Sequence, residues 1–168
     1  DEKKAAEYYE RAAALGNPGA MYQLGGLYYF GSGVEQDFEK AASWFRKAAE
    51  QGNDGAMFNL GVMYKRGEGV AQDYEKAREY YELAAALGNH MAMNNLGLLY
   101  EKAEGVNYDL DQALYWYEKS DTMRHVGELR NRGWNIDQEE AMTWDLDQIS
   151  QYLIKAADEE IGRASCRE

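Results

Sequence analysis

Apolar residues along the chain recur at steps of three and four, the spacing of one face of an α-helix. Between Ala20 and Phe30 the stripe is Ala20, Leu24, Leu27 and Tyr28. A second stripe, Ala41, Trp44, Phe45 and Ala48, follows after a short glycine-containing stretch, GSGVEQ. The first stripe predicts a helix A over about Ala20–Phe30, and the second a helix B opened by Asp37. Small alanines on helix B admit a close neighbour, and the aromatics fill the remaining space.

The two-helix pattern then repeats without insertion or deletion. AMYQLGGLY begins at Ala20, AMFNLGVMY at Ala56 and AMNNLGLLY at Ala92, each 36 residues after the last. GSGV at Gly31, GEGV at Gly67 and AEGV at Ala103 keep that offset, and Val34, Val70 and Val106 are expected to plug the loops into the core. The spacing predicts a lone helix B over Lys4–Leu15 in a half repeat 1–19, followed by full repeats 20–55, 56–91 and 92–127. A degenerate unit, 128–160, comes next. There Glu128 and Arg132 replace the alanine and leucine, yet Val126, Leu129, Gly133 and Ile136 keep a helical stripe, as do Ile149, Tyr152, Leu153 and Ala156. A more polar last unit suits the capping repeat that a stacked array requires. The fold expected is all-α, a right-handed α/α superhelix, or solenoid, of helix-turn-helix repeats.

Local signals support these limits. Asp37, Asp73, Asp109 and Asp145 stand where each helix B begins and can accept hydrogen bonds from free first-turn N–H groups. Gln112 and Gln148 follow three residues after their aspartates, the capping-box spacing. Gly16, Gly52 and Gly88 suit left-handed helix ends. Gly25, Gly61, Gly97 and Gly133 recur at one position inside helix A, where glycine costs up to about 1 kcal/mol against alanine. That recurrence predicts a close helix–helix approach.

Charge narrows the partners. The 168 residues carry a formal net charge of −12, which disfavours a phosphate backbone and an anionic membrane surface alike. No run of eighteen apolar residues predicts membrane insertion, and no signal peptide is visible. The single cysteine, Cys166, cannot form an internal disulfide. It lies in the final eight residues, IGRASCRE, which read like a translated sequencing-library adapter; 161–168 is therefore expected to be a non-structural tail.

The pattern AxxxLGxxYxxGxGVxxDxxKAxxWYxKAAxxG resembles the Sel-one-like repeat, a relative of the tetratricopeptide repeat. The second unit carries it at Ala56, Leu60, Gly61, Tyr64, Gly67, Gly69, Val70, Asp73, Lys76, Ala77, Tyr81, Ala84, Ala85 and Gly88. Ala103 replaces a loop glycine, and Ser120–Asp121 the alanine pair. The resemblance spans about residues 4–125 and weakens to 158. It implies a non-catalytic adaptor or scaffold of bacterial origin, cytoplasmic or periplasmic, that binds a protein or peptide in a concave groove lined by helix A.

Carried onto this chain, the groove would comprise Tyr22, Gln23, Tyr29, Phe30, Phe58, Asn59, Val62, Lys65, Arg66, Asn94, Asn95, Leu98, Glu101 and Lys102. Tyr22, Tyr29, Phe30 and Phe58 would be apolar anchors, or would be partly buried against the neighbouring helix. Gln23, Asn59 and Asn95 offer a peptide backbone both donor and acceptor. Lys65, Arg66 and Lys102 form a basic track suited to an acidic or C-terminal carboxylate group, unless neighbouring glutamates pair with them. His90 and His125 fall in or beside inter-repeat turns with no cysteine partner, and neither a metal site nor a cofactor is expected. No nucleophile motif or phosphate-binding loop accompanies them. The alternative function is the repeat arm of a longer enzyme or signalling protein.

Overall fold

The computed structural model describes the backbone of residues 2–165, and the side chains of 2–156 apart from Leu146. All regular structure among the described residues is helical. The elements are α1 (Glu2–Ala14), α2 (Pro18–Phe30), α3 (Phe38–Ala49), α4 (Asp54–Arg66), α5 (Tyr74–Ala86), α6 (His90–Lys102), α7 (Leu110–Asn131), α8 (Gln138–Ala141) and α9 (Leu146–Ser165). Helices α2 and α3, α4 and α5, and α6 and the first half of α7 are the three predicted A–B pairs. From α1 to α7 each helix packs on its neighbours in sequence, α8 and α9 both pack on α7, and α4 also touches α6 directly. That contact brings two of the A helices together.

Each helix after α1 starts where a side chain supplies the missing acceptor. Asp37, Asp73 and Asp109 accept the backbone N–H of Lys40, Lys76 and Gln112 at 2.9, 3.0 and 3.0 Å. Asp145 and Gln148 exchange two such bonds, at 2.8 and 3.0 Å, closing the capping box that their spacing predicts. The A helices are capped by Asn17, Asn53 and Asn89, which accept from Ala20, Ala56 and Ala92 at 2.9, 2.8 and 3.0 Å. The preceding glycine has positive φ, 82° at both Gly52 and Gly88. Glycine followed by asparagine thus ends one repeat and opens the next.

Glycines inside helix A mark the predicted close approach. A Cβ on Gly25 would lie 2.7 Å from the Phe45 ring, one on Gly61 2.5 Å from Tyr81, and one on Gly97 2.5 Å from Tyr117. Helix B's aromatic packs directly against helix A at each of these glycines. Leu24, Leu60 and Leu96 are fully buried beside these contacts, as are Ala41, Ala48, Ala77 and Ala84. Val70 and Val106 pack against this core.

Regularity ends in the third pair. The expected turn near residue 125 is absent, because α7 runs unbroken for 22 residues from Leu110 to Asn131. Arg124 stands where Gly52 and Gly88 stand in earlier units, and His125 where Asn53 and Asn89 stand. Neither the left-handed residue nor the cap is present, so nothing stops the helix. Two expectations are corrected. Gly133 is not inside a helix but just beyond the end of α7, at φ 90°. His125 is not in a turn; it sits within α7, its Nδ1 2.8 Å from the Asp121 carbonyl oxygen. His90 is the first residue of α6.

The segment after α7 doubles back. The Gln138 side-chain amide donates to the Leu87 carbonyl at the end of α5, and Arg130 donates to Gln138 at 3.0 Å. Lys119 of α7 donates to the Trp144 carbonyl at 2.9 Å, and Trp144 stacks on Tyr152 of α9 at 4.5 Å. Ile136, Ala141, Trp144, Ile149 and Ala156 are buried in this packing. The stripe read for the last helix is therefore a core stripe. The backbone of α9 continues to Ser165, while Cys166 and the two residues after it lie outside the described residues.

Candidate functional site

Helices α2, α4 and α6 present a strip of side chains that changes from unit to unit over a constant core. At its first level stand Tyr22, Phe58 and Asn94. Tyr22 is half-buried, its ring 5.9 Å from Phe45 and pressed toward Gly55 of the next A helix. Phe58 is half-buried 6.0 Å from Tyr81, and Asn94 is exposed. Both rings thus serve packing with one face and leave the other to solvent. Val62 and Leu98 are half-buried at the next level.

The amides differ in what they have left to offer. Gln23 is exposed and Asn59 half-buried. Asn95 has one N–H engaged, because its Nδ2 donates to the Met91 carbonyl at 2.9 Å.

Toward the C-terminal ends of the A helices, the predicted residues are drawn into ties between units. The Tyr29 hydroxyl donates to Glu68 at 2.6 Å and accepts from Arg66 at 3.2 Å. Burial and then the Glu68 hydrogen bond raise the Tyr29 pKa above its ordinary value. Tyr29 also packs edge-on against Phe38 at 5.2 Å and Phe30 at 5.0 Å. One repeat later, Lys65 forms an ion pair with Glu104 at 2.7 Å. Positions 29 and 65 are equivalent, and so are 68 and 104. The A helix of one unit therefore reaches the loop of the next, twice, through the same two positions.

The third member, Glu101, has no such loop to reach. It accepts instead from the Tyr117 hydroxyl at 2.6 Å. Burial, followed by this bond to a carboxylate, pushes the Tyr117 pKa up to about 12.

The basic track is consequently interrupted. Lys65 is neutralised by Glu104, and Arg66 lies 3.8 Å from Glu68. Lys102 is exposed at the end of α6. Of the proposed anchors, Phe30 alone projects strongly, at 74% exposure. The other three are partly buried against their neighbours. The pairing of Lys65 and Arg66 with neighbouring glutamates is the alternative that the sequence left open. What it did not place is the Tyr29–Glu68 tie between units, although the glutamates at 68 and 104 kept the 36-residue offset.

Elsewhere, a cleft of about 770 Å³ separates the inter-repeat turns at Gly52 and Leu87 from the returning segment at Ile136–Glu140. Among the described residues no group of three or more histidine, cysteine or acidic side chains is placed to hold a metal. No helix is long and apolar enough to cross a membrane, again among the described residues.

An unbroken register of capped helix pairs, with glycine-to-aromatic contacts inside each, defines the class as an α-solenoid of short repeats. Comparison with known families identifies which one. The Sel1 repeat matches residues 1–17, 18–53, 55–89 and 90–120, and the chain belongs to that family. The last match ends at residue 120, shortly before Arg124–His125, where α7 runs on instead of turning.

Solved structures agree. The chain is 40% identical to c5321, a protective antigen present in uropathogenic Escherichia coli strains that displays an SLR fold. That alignment has a TM-score of 0.72 and covers 77% of this chain and 28% of c5321. A Sel1 repeat protein from Oxalobacter formigenes is 34% identical, with a TM-score of 0.71, covering 84% of this chain and 61% of that one. Cysteine rich protein B of Helicobacter pylori is 28% identical, with a TM-score of 0.55, over 57% of this chain and 72% of its own. The chain thus spans under two thirds of the length of the first two. Among curated proteins none matches.

Proposed function

We propose that this Sel1 repeat chain is a non-catalytic scaffold that binds a protein or peptide along the strip formed by α2, α4 and α6. The observation that carries this reading is the contrast on each A helix. One face repeats as Ala, Leu and Gly in every unit and is buried, while the adjoining face varies as Tyr22, Phe58 and Asn94 and stays accessible. A surface that a constant core holds at fixed intervals can read an extended or helical ligand at several points. Half-exposed aromatics supply apolar contact area at small entropic cost. Gln23, Asn59 and Asn94 supply polar contacts beside them. The end positions 29, 65 and 66 contribute mainly by fixing the angle between units.

Site-specific photocrosslinking in the native host tests the assignment. Photoreactive residues at Gln23 and Asn94 are expected to yield the same discrete adduct. The same residues at Glu75 and Glu79, on the opposite helix of the second unit, are expected to yield none. Adducts only from the α5 positions would move the site to the other side of the stack.

A further inference from the structure

The last regular unit ends on a face that is covered in every earlier unit. Phe38 and Tyr74 begin helix B in the first two units, and the glycine loop of the following unit packs against each of them. Their equivalent, Leu110, is 48% exposed. Ala42 is buried and Arg78 is half-buried, but Leu114 at that position is 55% exposed. Phe45 and Tyr81 are 1% and 0% exposed, whereas Tyr117 is half-buried. The cause is the missing turn. With α7 running straight through Arg124–His125, residues 132–156 fold onto Lys119, Met123 and the end of α5, and among the described residues no fourth A helix is delivered to this face.

What covers the face in units one and two defines what would fit here. It is an amphipathic helix with small and apolar residues toward helix B, followed by a loop whose first or second residue meets position 29 or 65. In this chain the loop residue is Glu68 or Glu104, and it meets Tyr29 or Lys65. At the open face the receiving residue is Glu101, so a loop glutamate there would meet like charge. Asp121 also replaces the buried alanines Ala49 and Ala85 on this rim. The face keeps the apolar centre of an inter-unit contact but inverts the charge at its edge.

We propose that the Leu110–Leu114–Tyr117 face is a second docking site, separate from the A-helix strip. Its occupant is an amphipathic helix of a partner protein that carries lysine or arginine just past its C-terminal end. The partner helix takes the place of a fourth A helix, and its basic residue pairs with Glu101.

A peptide of residues 53–71 bearing Glu68→Lys is the probe, since its parent segment fills the equivalent place on the first unit. Calorimetric or NMR titration into the full chain is expected to show saturable binding, at least about tenfold tighter than with the unmodified peptide. Leu114→Asp should abolish it while leaving the circular dichroism unchanged. Glu101→Lys should invert the preference, so that the unmodified peptide binds tighter; this charge swap stands even if Leu114→Asp does not fold. Tyr9→Ala, at the opposite end of the stack, should change nothing. The proposal is overturned if neither peptide binds, if Glu101→Lys leaves the preference as it was, or if binding depends on Tyr9. A concentration-dependent dimer abolished by Leu114→Asp would also overturn it, by assigning the face to a second copy.

Discussion

At Gly88–Asn89 the chain turns through a left-handed residue and starts a new helix. At Arg124–His125, one repeat later, it continues as a helix for another two turns. Both points have an aromatic-bearing helix B before them and an apolar stripe after, although Ser120–Asp121 replace an alanine pair and Glu128 and Arg132 an alanine and a leucine around the second. The difference lies in two side chains. Glycine admits positive φ without a Cβ clash, and asparagine supplies the acceptor for an orphan N–H. Arginine and histidine do neither. Two residues therefore decide whether the following segment stacks as another unit or swings back over the helix it came from. An exposed apolar end face and a cleft beside the turns are the consequences.

The contrast between the buried core and the open end face can be broken by substitution. Leu60→Ala, in the fully buried core, is expected to destabilise by about 2–5 kcal/mol in chemical denaturation. Leu114→Ala, on the open face, should cost within about 0.5 kcal/mol. Equal costs would show that the face is covered in solution.

A finer contrast lies within one helix. Gly25→Ala drives a methyl into the Phe45 ring at 2.7 Å and should destabilise by about 1–3 kcal/mol, despite alanine's better helix propensity. Its neighbour Gly26 has nothing within 4 Å, and Gly26→Ala should stabilise by up to about 1 kcal/mol. Opposite signs at adjacent positions would confirm the helix spacing.

The turn itself is expected to be worth less. Asn53→Ala removes the cap on α4 and should cost about 0.5–2 kcal/mol. Asn89→Ala should cost more than Asn53→Ala, because Asn89 also donates to Asp54 at 2.9 Å. His125→Ala, inside α7, should cost nothing comparable by the same denaturation assay.

Smallest is the acid response of the B-helix caps. First-turn N–H groups, led by that of Lys40, hold the Asp37 pKa below its ordinary value of 3.8, and Lys76 does the same for Asp73. A depressed folded pKa means that the contribution is complete above the ordinary value. It is lost as pH falls through the folded one. Asp37→Asn should therefore flatten the decline in melting temperature below about pH 4 and change little at pH 7. An unchanged acid slope would show that the cap carries no charge-dependent stability.

Most of the stack was legible in the sequence because its physics is local and periodic. The stripe residues, the B-helix aspartates and the mid-helix glycines Gly25, Gly61 and Gly97 each recur at one offset, and each does in the fold what its chemistry suggests. The chain from Arg124 onward was legible only in part. Val126, Leu129 and Ile136 keep helical spacing and are buried, which hid the fact that they lie on either side of a helix end. The missing Gly–Asn pair was the readable sign, and the surviving stripe outweighed it. The strip residues were harder still, since exposure depends on partners from other units. Tyr29 and Lys65 look free on their own helices and are engaged only because the next loop brings Glu68 and Glu104 to them.

The claim that Gly–Asn sets the unit boundary is tested most directly by backbone Cα chemical shifts across residues 120–131 and 84–93. The account predicts an uninterrupted helical signature through Arg124 and His125, against a break at Gly88–Asn89. A non-helical signature at Arg124–His125 like that at Gly88–Asn89 would contradict it, because the fourth unit would then turn and stack like the others.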